Sequence, residues 1–408
     1  SEATAVIRKG LYQNTMKKNI SDIYDCFGCG VCTKPCPKHI VAMRLNSDGF
    51  YESYVTDESK CIECGLCRDV CSFIHDGLSV KNKPIISYAA WSNDKRVQSK
   101  CSSGGVGFEV AKLLLLRGYK IIGVRYNVKE GRAEHYMANT LEELVQSIGS
   151  KYIQSYTPDA LSEIDRKGKY LFIGTPCQVD SFRRYIQRMK LNEDNFVLLD
   201  FFCHGTPSML AWRKYLQMCE KKVGKITYVS WRNKWTGWHD SWAMGVDGEK
   251  HGEKVNWHDS YNLLIREKKS FIQSRLSQGD IFYRLFLQDF CMNPACRKNC
   301  KYKYDKSSAD IRIGDLWGKT YKDNEDGVSA AIAFTDRGHK VIDASDCHLK
   351  EHPFEIVAEG QMKHNCGKAE TAFLVYPLLH SKNNIPALVW KIVLFPQRVI
   401  NFFKWHLK

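Results

Sequence analysis

The sequence predicts an α/β protein: a mixed α/β body preceded by a small cysteine-rich module. Three observations carry this reading. The spacing C-x2-C-x2-C-x3-C occurs twice in the first eighty residues. Beyond it, short runs rich in β-branched and aromatic residues alternate with helical patterns, as expected of strands and helices stacked in layers. The 408 residues, 44% hydrophobic and 26% charged, supply enough apolar material for two or three packed domains.

Residues 26–36 read CFGCGVCTKPC and residues 61–71 read CIECGLCRDVC, an internal repeat. No run of eighteen apolar residues and no export signal is apparent, so a cytoplasmic location is expected. Thiols stay reduced there, and 17 cysteines then point to metal ligation rather than disulfides. A cubane 4Fe-4S centre needs four soft thiolates on one approximate tetrahedron, and two-residue spacings let the chain wrap it. Gly30 and Gly65, at matching positions, allow the close backbone approach. In two-cluster ferredoxins the fourth cysteine of each run crosses to the other cluster. The expected ligand sets are therefore Cys26, Cys29, Cys32 and Cys71 for one centre, and Cys61, Cys64, Cys67 and Cys36 for the other. Zinc knuckles compete poorly, because they usually separate two C-x2-C pairs by a dozen or more residues. Residues 1–80 thus read as a two-cluster ferredoxin-like domain.

HDGLSVKNKP (75–84) reads as a polar linker. Strands are expected at 85–91, 120–126, 169–175, 196–202, 309–314 and 327–334, with helices over 105–118, 141–148 and 178–189 between them. Such alternation predicts a substantially parallel sheet within residues 81–360. Ligands gather at the carboxyl ends of the strands of such sheets. Three loops there, CSSGG (101–105), KYIQS (151–155) and GTPCQ (174–178), suit an anionic cofactor, the first opening a helix. No G-x-G-x-x-G follows a strand, and GDLWGKT (314–320) is one residue short of a Walker loop. A second cysteine patch, CMNPACRKNC (291–300), needs a fourth partner for a cluster, and Cys177 and Cys203 stand at the ends of predicted strands. Cys101, Cys219, Cys347 and Cys366 have no spacing argument and read as ordinary thiols.

SSGG, KYIQS, FIGTPCQVDSFRR, DFFCHGTPS and the C-x3-C followed by ADIRIGDLWG resemble the flavin-binding beta subunit of coenzyme F420-reducing hydrogenase, and plant 7-hydroxymethyl chlorophyll a reductase carries similar signatures. The resemblance spans roughly residues 85–360. It implies an FAD domain with its own 4Fe-4S cluster. FAD would contact Ser102, Ser103, Gly104 and Gly105, then Lys151, Tyr152, Gln154 and Ser155, and the turn holding Thr175, Pro176 and Gln178. Cys203, Cys296 and Cys300 would hold the third cluster, with Cys177 or Cys291 as the fourth ligand. His204 and Asp315 lie in family motifs as proton donors or as structural hydrogen-bonding residues. The implied activity is that of an iron-sulfur flavoprotein oxidoreductase acting on an organic substrate. The alternative is a subunit that relays electrons to a partner enzyme.

The formal charge of +15 shrinks once clusters and FAD are counted, since an oxidised 4Fe-4S centre with four thiolates carries about −2. With no nucleic-acid-binding signature present, the remaining positive field suits ferredoxin or another acidic electron carrier, or an anionic or sugar-linked small substrate. Residues 231–290, with WRNKWTGWHDSW, read as a substrate lid. Residues 361–408 form a basic, aromatic tail in which Pro396 is expected to break any long helix. That tail suits contact with anionic lipid, placing the protein peripherally at the inner membrane surface.

Overall fold

A computed structural model describes residues 18–251 and 270–406. The opening residues on which the export-signal reading rests, and residues 252–269 of the expected lid, lie outside the described residues. In the front module a hairpin, β1 (Val41–Leu45) and β2 (Tyr51–Val55), separates the two cysteine runs.

The body is built on a nine-stranded sheet. Its strands in chain order are β3 (Ile86–Ser92), β4 (Lys120–Asn127), β5 (Arg132–Ala138), β6 (Ser155–Tyr156), β7 (Tyr170–Ile173), β8 (Phe196–Phe201), and, after an intervening small sheet, β12 (Ile311–Asp315), β13 (Ser329–Ala333) and β14 (Cys347–Glu351). Their spatial order is β14-β3-β13-β12-β8-β7-β4-β5-β6. The expectation of a substantially parallel sheet is corrected. Only the central β4, β7, β8 and β12 and the short edge pair β5–β6 run parallel; the other neighbours are antiparallel. The connections explain this. The helix Pro176–Arg188 carries the chain from β7 back to a parallel β8, whereas a tight turn folds β4 directly onto β5.

Helix Pro176–Arg188 starts where the sequence says it should. Pro176 occupies the first turn, and Thr175 and Gln178 form a reciprocal cap. Val179, Phe182, Tyr185 and Ile186 make its buried face. They share one apolar cluster with Phe172 and Leu198 of the sheet and with Ile20, Val31, Val41 and Val70 of the front module. Each fully buried Phe in it contributes roughly 2–3 kcal/mol. The front module is therefore part of the core on one sheet face. Nor is segment 75–84 a free linker: it contains one helical turn, Leu78–Lys81, and Ser79 Oγ and Asn82 Nδ2 donate to the carbonyls of Lys301 and Ala309.

Within the expected lid, β10 (Ala243–Gly248) and β11 (Ile272–Arg275) join β9 (Ile226–Ser230), which precedes it, in a second sheet of order β11-β10-β9, and helix Ile281–Leu287 follows. The sheet packs on an aromatic cluster that includes Trp212, Trp231, Phe282 and Tyr283. The tail forms helices Ala372–His380 and Ala387–His406, and the second is continuous through Pro396. The carbonyl deprived of its donor belongs to Ile392, which is exposed, so water can replace the missing bond.

Candidate iron-sulfur and cofactor site

Cys26, Cys29, Cys32 and Cys71 line one pocket together with Ile20, Phe27, Ser53 and Phe73. Gly30, at φ +75°, turns the chain between its second and third thiols, and a Cβ there would collide with Thr157 Oγ1 and Met43 Sδ. Gly28 N donates to Cys26 Sγ (3.3 Å); Ser53 Oγ lies 3.0 Å from Cys32 Sγ and Ser181 Oγ 3.3 Å from Cys29 Sγ. Burial pushes the Cys26 thiol up to about 11 and Cys29 to about 12, the neighbouring Cys71 adding to both. Thiols this reluctant to ionise alone would be held as thiolates by a bound cationic metal cluster.

Cys36, Cys61, Cys64 and Cys67 line a second pocket with Ile40, Val41 and Val55. Asn19 Nδ2 donates to Cys61 Sγ at 3.4 Å, and Cys64 is exposed. Each cavity thus combines three thiols of one run with the fourth of the other, the crossed arrangement the spacing leads one to expect. Among the described residues, no three His, Cys, Asp or Glu side chains converge tightly enough for a single metal ion.

A third group of thiols forms beside the first cavity. Cys177 lies in the first turn of helix Pro176–Arg188 and Cys203 just beyond β8; Cys296 lies in the short helix Pro294–Lys298, with Cys300 following it. Burial raises the Cys177 thiol, and it feels Cys29 of the first cavity as well as Cys296 and Cys203. Cys203 in turn feels Cys296 and Cys300, and burial pushes it up to about 12, opposed by the Lys303 ammonium. Lys303 Nζ also donates to the Cys203 and His204 carbonyls (2.6 and 2.8 Å), fixing that loop. Cys291 is not part of this group. It is buried among Leu285, Phe290 and the tail helices, its Sγ 3.9 Å from the Leu285 carbonyl. Of the two candidates for the fourth place, the structure brings up Cys177 and turns Cys291 away.

Sequence reasoning missed Cys366. Its thiol lies among Cys296, Asp289 and Cys203, and a Cβ on Gly205 would stand 3.2 Å from its Sγ. No spacing motif marks it, because the tail brings it in from far along the chain.

The loops expected to touch FAD do meet near one end of the sheet, but most of their polar side chains are engaged by protein. Lys151 Nζ donates to the carbonyls of Gln146, Ser147 and Ile148, capping a helix end, and burial brings its pKa down to about 7. Gln154 ties the body to the front module: its amide donates to Phe27 O (2.9 Å) and accepts from Tyr51 N (2.9 Å). Ser155 Oγ accepts from Gln178 Nε2 (3.1 Å), and Thr175 Oγ1 lies 3.2 Å from Cys177 Sγ. Ser102 Oγ accepts from Ser150 N, while Ser103 Oγ donates to Val328 O. Gly104 packs so closely that a Cβ would strike the Ala90 carbonyl and Ser329 N; Gly105, at φ +91°, opens helix Val106–Leu116. Tyr152 remains as an aromatic wall, its ring 4.8 Å from Trp242 and 5.5 Å from Phe286.

The strongest charge near these loops comes from the WRNKW segment. Arg232 is buried and bidentate to Asp315 (2.9 and 3.1 Å), with further bonds to Tyr152 Oη, Ser241 Oγ and Ser102 O. Its guanidinium lies 4.9 Å from the Trp242 ring centre and 5.3 Å from that of Trp317. Lys234 Nζ donates to Gln98, Ser103 and Asp326 carbonyls, and burial brings it down to about 8. Asp315 also accepts from Trp238 Nε1 (2.8 Å) and so is fully committed as Arg232's counter-ion. His204 Nε2 lies 2.7 Å from Asp289 Oδ1, whose other oxygen accepts from Gly367 N. In this arrangement both residues expected as proton donors hold loops in place. Two cations enclosed between tryptophans in WRNKW are the signal that would have flagged Arg232.

Fold and site together define an iron-sulfur protein with a mixed α/β body and a ring of aromatic and cationic residues at its inner end. Residues 167–355 match the C-terminal part of the coenzyme F420 hydrogenase/dehydrogenase beta subunit, residues 87–162 match its N-terminal part, and residues 9–74 match a 4Fe-4S dicluster domain. The chain belongs to the coenzyme F420 hydrogenase/dehydrogenase beta-subunit family and carries a 4Fe-4S domain. An uncharacterized protein of Methanocaldococcus jannaschii is 26% identical over 228 residues, 47% of this chain and 59% of that protein, so the chain spans about three-fifths of this curated relative. A chain of the F420-reducing NiFe hydrogenase complex from Methanosarcina barkeri aligns over 80% of this chain and 94% of its own, with 17% identity and a TM-score of 0.44.

Proposed function

We propose that this chain is an iron-sulfur flavoprotein oxidoreductase that passes electrons between ferredoxin-type 4Fe-4S clusters and FAD, and so reduces or oxidises an organic substrate. The observation that carries the reading is the succession of thiol groups. It begins at exposed Cys64, continues through the first cavity, and reaches Cys177, Cys203, Cys296 and Cys300, the Cys177 thiol feeling Cys29 of that cavity. Phe27, packed on Phe73 and Tyr302, keeps water from the junction. Cys296 then shares an apolar cluster with Tyr152 and Trp242, which leads to the loops around Arg232.

The residues fit clusters well, with thiols, hydroxyl donors and an apolar surround. The residues that would meet a flavin are the Tyr152 ring and the loops 101–105 and 174–178; Arg232 and Lys234 hold Tyr152 and the first of these loops in place through Ser102 O, Ser103 O and Tyr152 Oη. When bound, a flavin would supply the exchange between one-electron and two-electron chemistry. The chain's own contribution is to hold the thiols, to tune the cluster sulfurs through Ser53 and Ser181, and to exclude water. Exposed Cys64 and the positive net charge of the chain favour ferredoxin or another acidic carrier as electron donor.

Anaerobic reconstitution with iron, sulfide and flavin quantified together tests the cofactor set. About twelve irons and one FAD per chain are expected, taking four irons per cubane; about eight irons would remove the third cluster. The family's description as a beta subunit favours the second reading, a relay to a partner enzyme. Reoxidation only through a protein partner, never by small molecules, would establish that reading over the first.

A further inference from the structure

The helix Ala387–His406 has two apolar stripes, and only one is used. Trp390, Leu394 and Gln397 are buried and seat it on the body, where Trp390 and Leu394 pack with Ile281, Leu285 and Val375. Leu388, Ile392, Phe395, Val399 and Phe402 recur at spacings of four and three residues, which places them on a single stripe of a helix with 3.6 residues per turn, roughly opposite the buried one. These five are between 37% and 68% exposed, and Trp405 beyond them is 82% exposed.

Charge decides what such a stripe faces. From residue 371 onward the sequence has five Lys or Arg and no acid. Lys391 and Arg398, seven residues apart and exposed, fall along one border of the apolar stripe. Arg398 also lies near Arg284 of the body. Lys404 is paired with Glu370 on the body and helps anchor the helix. An exposed apolar stripe bordered by basic side chains, with an aromatic beyond it, matches a helix lying in a membrane interface, the bases reaching anionic headgroups. A second copy of the chain would bring Lys391 and Arg398 into a contact to which this segment offers no acid. No helix among the described residues is long and apolar enough to cross a membrane.

We propose that the outer face of helix Ala387–His406 docks the protein onto an anionic lipid surface, with Leu388, Ile392, Phe395, Val399 and Phe402 entering the headgroup boundary and Lys391 and Arg398 engaging lipid phosphates.

The test uses the full chain, anaerobically reconstituted, sedimented with vesicles of phosphatidylcholine alone or mixed with phosphatidylglycerol. Binding to the mixed vesicles, weak binding to phosphatidylcholine, and release by high salt are expected. The double variant Lys391→Glu/Arg398→Glu should weaken the apparent affinity by about tenfold or more. Phe395→Glu/Phe402→Glu should abolish binding. All four positions are exposed, so cluster absorbance should be unchanged in both variants. Equal binding to both vesicle types, or no binding to either, overturns the proposal. So does a dimer in solution that the Phe395→Glu/Phe402→Glu variant dissolves, which would assign the stripe to a second copy.

Discussion

Ser181 sits in helix Pro176–Arg188 of the body, yet its hydroxyl lies 3.3 Å from Cys29 Sγ of the front module. Once the thiol is ionised, that hydroxyl donates to sulfur and favours the more negative, reduced cluster. Ser181→Ala should therefore lower the midpoint potential of the adjacent centre by roughly 40 mV, taking about 1 kcal/mol for the bond and one electron transferred; a redox titration followed by electron paramagnetic resonance would read it. The thiols of the third group separate in the same way. Cys177→Ser is expected to lose about four irons per chain, one cubane's worth. Cys291→Ala and Cys366→Ser should keep the full iron count, and iron loss in Cys366→Ser with full iron in Cys177→Ser would reverse the assignment. The C-x3-C run and strand-end Cys203 were legible in the sequence. The choice between Cys177 and Cys291 was not, because it depends on which way two thiols face after folding.

At the scale of elements, β8 and β12 are held by more than their ladder. Arg312 and Asp200, both fully buried, form two bonds of 2.7 and 2.8 Å. Ser307 Oγ donates to the same carboxylate, and Arg312 Nη1 donates to the Tyr302 and Tyr304 carbonyls. The pair thereby fixes the loop that follows Cys300. Arg312→Met leaves Asp200 buried without a counter-charge and should cost about 3–5 kcal/mol in denaturant unfolding, whereas adding Asp200→Asn should recover a large part. The ADIRIGDLWG motif that suggested cofactor chemistry is thus largely architectural. Asp310 accepts from Leu198 N and Thr335 Oγ1, Arg312 pairs with Asp200, and Asp315 pairs with Arg232. Most of the central strands were legible from their β-branched and aromatic runs. The antiparallel neighbours were not, since strand direction is set by partners distant in sequence.

Across the whole molecule, the front module and the body share one apolar cluster and a set of polar ties. Gln154 spans Phe27 and Tyr51, Thr157 Oγ1 donates to the Cys29 carbonyl (2.9 Å), and Lys301 Nζ donates to the carbonyls of Ser72, Phe73 and His75. Gln154→Ala leaves the Tyr51 N–H buried without its acceptor. It should loosen the junction by about 1–3 kcal/mol, seen as faster amide hydrogen exchange around Phe27 and Tyr51 with little change in β7 and β8. A fixed junction matters for the proposed relay, because it holds Cys29 beside Cys177.

The iron-sulfur chemistry is legible from the cysteine spacing without coordinates. Repeated cysteine spacings are local, a few residues of chain must wrap each cluster, and so the motif and its crossed fourth thiol can be read without coordinates. Tertiary structure alone decided where the thiol groups stand relative to one another, that Cys366 approaches them and Cys291 does not, and that Arg232 rather than the loop hydroxyls carries the charge beside Tyr152. Those are contacts between segments far apart in the chain. Their only sequence signal is burial and charge compensation, which become definite once the sheet and the front module have packed.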